Sequence, residues 1–532
     1  MIKRKTFLQA LGAAGLGSVL SFLGYKTKQK LEEIPGEILG ANSSFGHLLR
    51  QKINKVPEKI ISIPTIIVGA GVSGLSASWH LKKNGFHNFK ILELHKNSGG
   101  NSSFGENSTS KFPLGAHYLP IPDKNAVYVI KLLEDMGIIQ GYENNLPIYD
   151  PFYLCADPQE RLFFQGSWQE SLIPTRGINE EDRKEYQEFF NFIESMKTKI
   201  GRDGKKAFSI PLEDSSKDKE FLALDEISMY DFMKSKNWNS IPLNWYVEYS
   251  SRDDFGVSHK RISAWAGIHY FASRTGRGAN CESGSVLTSP EGNGFLVSYL
   301  SKFSKDNLVT NTLVYKITED SKILVDTIHE DGTFLRYECS NLIYAAPRFT
   351  AKYIIHDYSK ISVPEIEHAP WLIANLTLSE RPKGNGVGLA WDNVSCYSRS
   401  LGYIVANHQD ITTLRNKIVI TYYLPLDEES SSIERKKALT RTYEDWMKII
   451  LPDLEKMHNG ISKTIEFASL WVWGHGMSSP GINYLWSKDR KNMLNDFGKI
   501  IFAHSDMSGI SIFEEAQYRG ILAAKKILRK AN

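Results

Sequence analysis

The sequence predicts an α/β protein with a Rossmann-type dinucleotide-binding domain and a second, discontinuous α+β domain. Three observations lead there. The run Thr65–Val68 is β-branched and is followed at once by Gly69-Ala-Gly71-Val-Ser73-Gly74, a helical repeat, and a second apolar run ending at Glu93. The 532 residues suffice for about two to four domains. Hydrophobic residues are 42% and charged residues 23% of the chain, which excludes disordered, collagenous and disulfide-scaffold classes.

The 64 Lys plus Arg nearly balance 60 Asp plus Glu, for a net charge of +4. Nucleic acid is therefore not an expected partner. The 4 cysteines, Cys155, Cys281, Cys339 and Cys396, form no CxxC or Cys/His cluster, so no metal centre is expected. The spacing does not choose between disulfides and free thiols.

The chain opens with Lys3-Arg4-Lys5-Thr6-Phe7-Leu8 and continues through an apolar, small-residue stretch into a polar one. A basic start, an apolar middle and a polar end form a targeting segment, residues 1–30. Its first residues resemble the twin-arginine export motif, with Lys5 in the second arginine position. Export to the periplasm or beyond is expected, with the segment cleaved or kept as a membrane anchor. An ordinary N-terminal helix is the alternative. Residues 31–57 form an arm with no assigned chemistry. No later run approaches 18 apolar residues.

Each part of the βαβ unit has a physical role. Gly69 allows the tight turn, Gly71 lets a pyrophosphate approach the backbone, and Gly74 lets helix pack on strand. The pyrophosphate sits on the helix N-terminus, where free N–H groups favour negative charge. Ser73, in the same loop, is grouped with these cofactor-binding residues. Glu93 accepts from ribose hydroxyls. NAD and FAD share this fingerprint, so other segments must discriminate.

Those segments come in a fixed order. Asn97-Ser-Gly99-Gly100-Asn101 follows the ribose acid, then Pro113-Leu-Gly115-Ala116-His117-Tyr118. Later come Glu291-Gly-Asn293-Gly-Phe295, Val309–Ile317, Leu342–Pro347 and Lys499–Asp506, with a helix from Glu514 to Leu528. Together they resemble the two-domain flavoproteins of the amine oxidase and carotenoid desaturase superfamily, spermidine dehydrogenase-like members included. The resemblance implies FAD as cofactor. It places Gly100 and Asn101 in a Gly-Gly-Arg turn, with Asn101 replacing the Arg. It brings His117 near the flavin and the backbone at Val314 to the adenine. Asp506, standing for the family's Glu, goes to the ribityl-phosphate region, and the last helix turns its N-terminus to the flavin. The FAD-binding pieces are 58–120, 285–352 and 490–532; residues 121–284 and 353–489 form the substrate domain.

The same resemblance nominates catalytic residues. Ala345-Ala-Pro-Arg-Phe-Thr-Ala-Lys352 matches a monoamine oxidase run whose Lys holds a water at the flavin. Trp471-Val-Trp473-Gly474-His-Gly476 matches the stretch carrying that family's covalent flavin Cys and one cage Tyr. Trp473 and Gly474 fall at those positions, so FAD is expected to be non-covalent, and Trp471 or Trp473 to offer a ring face to an amine. Lys352, Trp473 and His117 are the catalytic candidates.

The segment Trp245–Phe271 mixes the carboxylates Glu248, Asp253 and Asp254 with aromatics. That suits a cationic substrate such as a polyamine; a structural ion pair of Arg252 with Asp253 or Asp254 suits it equally. The expected activity is hydride removal beside an amine nitrogen. A polyene desaturase or isomerase predicts an all-apolar tunnel instead, and a non-catalytic flavin-fold protein is the third class. The electron acceptor is open. The stripe Phe189, Phe190, Ile193, Met196 and Ile200 in a helix over 182–200 is read as core packing.

Overall fold

The computed structural model describes residues 34–51, 53–358, 366–410 and 416–531. The expected targeting segment lies outside them. Two large sheets organise the chain. The first has five parallel strands in the order Leu308–Val309, Phe89–Leu92, Thr65–Val68, Asn341–Tyr344 and Ile500–Phe502. These strands are short and almost wholly apolar, as parallel strands covered on both faces must be.

One face carries the helices Val72–Lys83, Gly294–Ser301 and Phe513–Ala531. The last helix approaches the first so closely that a Cβ on Gly520 would lie 2.1 Å from the Ser73 carbonyl oxygen. Over the other face lie the antiparallel strands Thr312–Glu319, Ile323–His329 and Phe334–Cys339, with Lys59–Ser62 parallel at their edge. Val314, Ile317 and Val325 pack there on Ile66, Val68 and Leu92.

The second sheet has eight strands: Gly36–Gly40, Ile465–Ser479, Glu367–Leu378, Ile418–Pro425, Tyr403–Val405, Asp392–Ser395, Glu160–Phe164 and Ser167–Glu170, in spatial order. The arm residues 36–40 thus form its edge, paired parallel with Ala468–Val472. The helix Tyr443–Met457 covers one face. Glu180–Thr198, Ile241–Phe255 and Ala264–Ala272 cover the other.

The helix Glu180–Thr198 starts at a capping box of Asn179 and Asp182 and buries Tyr186, Phe189 and Ile193. Its stripe is core, and each such side chain contributes about 1.5–3 kcal/mol on burial. Ile200 lies beyond the helix end and is exposed.

Helix Ile241–Phe255 matters most for the site. Ser240 caps its start, and Gly256 ends it in the left-handed region at φ 70°. A Cβ there would meet Ala369 Cβ at 2.5 Å and Trp371 Nε1 at 2.7 Å. Only glycine lets the helix end sit on the strand Glu367–Leu378, and that contact sets Asp253 and Asp254.

All four cysteines are free thiols. Among the described residues no helix is long and apolar enough to cross a membrane, and no His/Cys/Asp/Glu group could hold a metal ion.

Candidate active site

The glycine loop leaves a trough where the strand Thr65–Val68 ends. Gly69 has φ 99°, and a Cβ on it would sit 3.1 Å from the Ala345 backbone. Gly74 is required by packing, because its Cβ would lie 2.0 Å from the Gly69 oxygen. Gly71 differs: a Cβ there would meet only Gly100 Cα, at 4.0 Å. Facing it, Gly99 and Gly100 both have positive φ, and Gly99 N–H donates to Ala70 O at 2.8 Å. Two glycine loops therefore flank an open space at a helix N-terminus.

Glu93 closes one end of the trough. Its Oε2 accepts from Ala70 N–H at 2.6 Å and its Oε1 from His95 N–H at 2.8 Å. Burial pushes this carboxyl up, while the backbone hydrogen bonds pull it down. A carboxylate offers about four acceptor sites, so the backbone donors at Ala70, Leu94 and His95 leave room for a ligand hydroxyl. Val314 is buried at a bulge in its strand, beside Leu92 and Val68.

The cavity next to the trough has an empty volume of about 850 Å³, its open mouth included. Its floor is Gly115–His117. Trp473 Nε1 donates to Leu114 O at 2.6 Å and Tyr423 Oη to Gly115 O at 3.0 Å, pinning this segment to the eight-stranded sheet. Its walls include the rings of Tyr118, Trp371, Tyr423 and Trp473. The His117 ring lies tilted by 36° with its centre 4.4 Å from that of Tyr423, and burial lowers its imidazole to about 3, so it is neutral at ordinary pH.

Charge enters through Asp253, Asp254, Glu514 and Arg274, all lining the cavity. Arg274 Nη2 pairs with Asp254 Oδ1 at 2.5 Å, and Tyr118 Oη donates to Asp253 Oδ2 at 3.1 Å. Burial, then the neighbouring Asp254, raises the Asp253 carboxyl to about 6. Burial raises Glu514 to about 7. Two buried acceptors or donors also lack partners on this wall, Asn293 Oδ1 and Trp371 Nε1.

Of the three catalytic candidates, His117 and Trp473 meet in this cavity. Lys352 does not, which corrects that expectation. It is exposed on the short helix Ala351–Ile354, with its Nζ 5.4 Å from the Tyr353 ring centre. The spacing after Pro347 matched, but the chain turns along the outside of the sheet.

Three side chains assigned to the cofactor are bonded within the protein. Ser73 Oγ donates to Ala516 O at 2.8 Å, so its hydroxyl joins two helices rather than awaiting a phosphate. The Asn101 side-chain amide donates to Gly476 O and ties its loop to the large sheet, while the residue still lines the cavity. Asp506 has no exposed surface. It accepts from Arg348 N–H at 2.9 Å and Ser478 Oγ at 3.1 Å, and pairs with His368 Nε2 at 2.9 Å. Burial opposes its charge, but His504 and His368 hold the carboxyl well below its usual range. Its acceptor capacity is spent on protein groups.

The anticipated pairing of Arg252 with its neighbours is also replaced. Arg252 binds Asp427 through Nε and Nη2, both at 3.1 Å, which leaves Asp253 and Asp254 to the cavity. Arg274, Glu514, Trp371 and Tyr423 carried no sequence assignment. Only Glu514 gave a signal, an acid in the first turn of a helix.

Comparison with known proteins fits this geometry. Residues 67–133 match a family described as an NAD(P)-binding Rossmann-like domain. Among curated proteins none matches the chain by sequence. A putrescine oxidase solved with putrescine superposes with TM-score 0.64 at 14% identity, covering 88% of this chain and 100% of its own. Cyclohexylamine oxidase from Brevibacterium oxydans gives 0.61 at 13% identity over 88% and 99%. A fatty acid isomerase from P. acnes gives 0.58 at 15% identity over 88% and 98%. These likenesses show the fold: a mixed α/β architecture of the amine oxidase type with a Rossmann-type domain.

Proposed function

We propose that this chain is an exported FAD-dependent oxidoreductase that oxidises the C–N bond of a cationic, polyamine-like amine. One observation carries the reading. An aromatic-walled cavity holds three carboxylates, Asp253, Asp254 and Glu514, and Arg274 is the single Lys or Arg among its described lining residues. Such a wall is costly to bury without a cationic guest, and ring faces beside it attract the same guest. A polyene would leave these acids unmatched, so the desaturase or isomerase reading is the weaker one.

The residues fit FAD. The space at Gly71 suits a pyrophosphate on the helix N-terminus, Glu93 keeps acceptors for a ribose, and the unpartnered Asn293 Oδ1 suits a donor on the flavin side. Gly69–Gly74, Gly100–Asn101 and the backbone at Val314 complete the holding set. Trp473 and Gly474 offer no thiol, so binding is non-covalent. Bound FAD would supply the hydride acceptor. The protein's part is to exclude water, present ring faces, and set the charge of the amine. Burial disfavours an ammonium, so the site must both attract the cation and discharge it.

Anaerobic titration of the purified protein tests this. Putrescine and other diamines should bleach the visible flavin band, and polyunsaturated fatty acids should not; the reverse pattern overturns the amine reading. Denaturation in acid should release all of the flavin, and flavin left on the precipitated chain would contradict non-covalent binding.

Lys352→Met should change flavin content and both half-reactions by no more than a few-fold, since surface substitutions act weakly. Stopped-flow measurement of a hundredfold loss would return the lysine to the site. Export rests on the basic start of the chain. Replacing Arg4 and Lys5 by Gln should retain the protein in the cytoplasm, as cell fractionation would report.

A further inference from the structure

We infer that Glu514 is the catalytic base that takes the proton from the substrate ammonium, a step that rests on the amine reading above. The three cavity carboxylates are not equivalent. Asp254 is held in the ion pair with Arg274, and Asp253 receives the Tyr118 hydroxyl. Glu514 is 6% exposed, faces the cavity, and no other described residue gives its carboxylate a hydrogen bond or ion pair. A buried acid whose one hydrogen bond comes from its own backbone N–H, aimed into a cavity that also holds the unpartnered Asn293 Oδ1, keeps acceptor capacity for a ligand.

Its place in the fold suits proton exchange. Glu514 stands in the first turn of the helix Phe513–Ala531, where the helix dipole favours the anion, while burial favours the neutral acid. The groups around it are Asp253 and Asp254 from one helix, Arg274 just beyond the end of the next, His117 and Tyr118 from the floor, and Glu515 on its own helix. Arg274 pulls its titration down and Asp254 pushes it up. The balance, with burial largest, lies at about 7, where a base is most effective near neutral pH.

The step balances simply. An N–H bond of the ammonium breaks, its proton bonds to a Glu514 oxygen, and the electron pair stays on nitrogen. The neutral amine then has the lone pair that hydride loss from the adjacent carbon requires. The carboxylate is the active form, so the rate rises with pH through its titration.

The test is the pH profile of kcat/KM with two amines of different basicity. A limb belonging to substrate moves with the amine; the limb belonging to Glu514 does not. Glu514→Gln should abolish that fixed limb and lower the rate by about 10²–10⁴-fold, and Asp253→Asn should keep it. A fixed limb in Glu514→Gln at near-normal rate overturns the assignment. If that variant fails to hold flavin, Glu514→Asp decides: a displaced limb supports the base, and a limb at the wild-type position overturns it. Failure of every amine to bleach the flavin refutes the amine reading itself, whereas bleaching with an unaltered limb refutes only this role.

Discussion

Gly71→Val is expected to give a folded chain that carries almost no flavin. The backbone at Gly71 is extended, with φ −73° and ψ −175°, which any residue adopts. A new Cβ would meet no protein atom closer than Gly100 Cα at 4.0 Å. The protein therefore tolerates the side chain, but the space it fills is the one a pyrophosphate needs. Flavin per chain, read from the visible band, should fall below about a tenth of wild type, since losing the phosphate contacts costs well over 1.4 kcal/mol. The melting temperature of the cofactor-free form should hardly move. Gly74→Val is the contrast, because its Cβ would lie 2.0 Å from the Gly69 oxygen and the fold itself should fail. An unchanged flavin content in Gly71→Val would overturn the assignment of the glycine loop.

The second large effect is expected at Arg274. Its side chain is 19% exposed and that of Asp254 is 7% exposed, and the guanidinium also lies 4.2 Å from the Tyr270 ring centre. Arg274→Met leaves three buried carboxylates with no cation, and removal of one partner from such a pair costs about 3–5 kcal/mol. The loss should be larger at pH 8 than at pH 5. Asp253 titrates at about 6 against a reference of 3.8, and Glu514 at about 7 against 4.5. A raised folded value means the folded chain binds more protons than the unfolded one across those windows, so stability falls as pH rises through them. Arg274 lowers both groups, so its removal carries the fall to higher pH. Urea unfolding of the cofactor-free protein at the two pH values measures this. Equal losses at both would show that the arginine does not balance the acids.

The parts of the fold that sequence revealed are those set by neighbours in the chain. Thr65–Val68, the glycine turn and the helix that follows occupy one short stretch, and every residue there has a local reason. Glu93 was legible because the strand before it fixes its distance from the loop. The cavity was legible only in fragments. Asp253 and Asp254 stood out beside aromatics, but the guanidinium opposite Asp254 comes from Arg274 and the partner of Arg252 from Asp427. No periodicity announces a contact made between separate elements. Lys352 shows the converse error: spacing copied from a relative survives even where the chain leaves the site.

The cover that Phe513–Ala531 lays on Val72–Lys83 has a consequence for the order of folding. The first βαβ unit leaves the ribosome early, yet Ser73 and the helix around it wait for residues 513–531 to bury them. The edge strand Ile500–Phe502 and the partner of Gly36–Gly40 are equally late. Such long-range closure makes folding slow and leaves apolar surface open until these later segments have been made. The phosphate-binding turn therefore reaches its final rigidity only once residues 513–531 have been made and docked, and cofactor capture has to wait for that step.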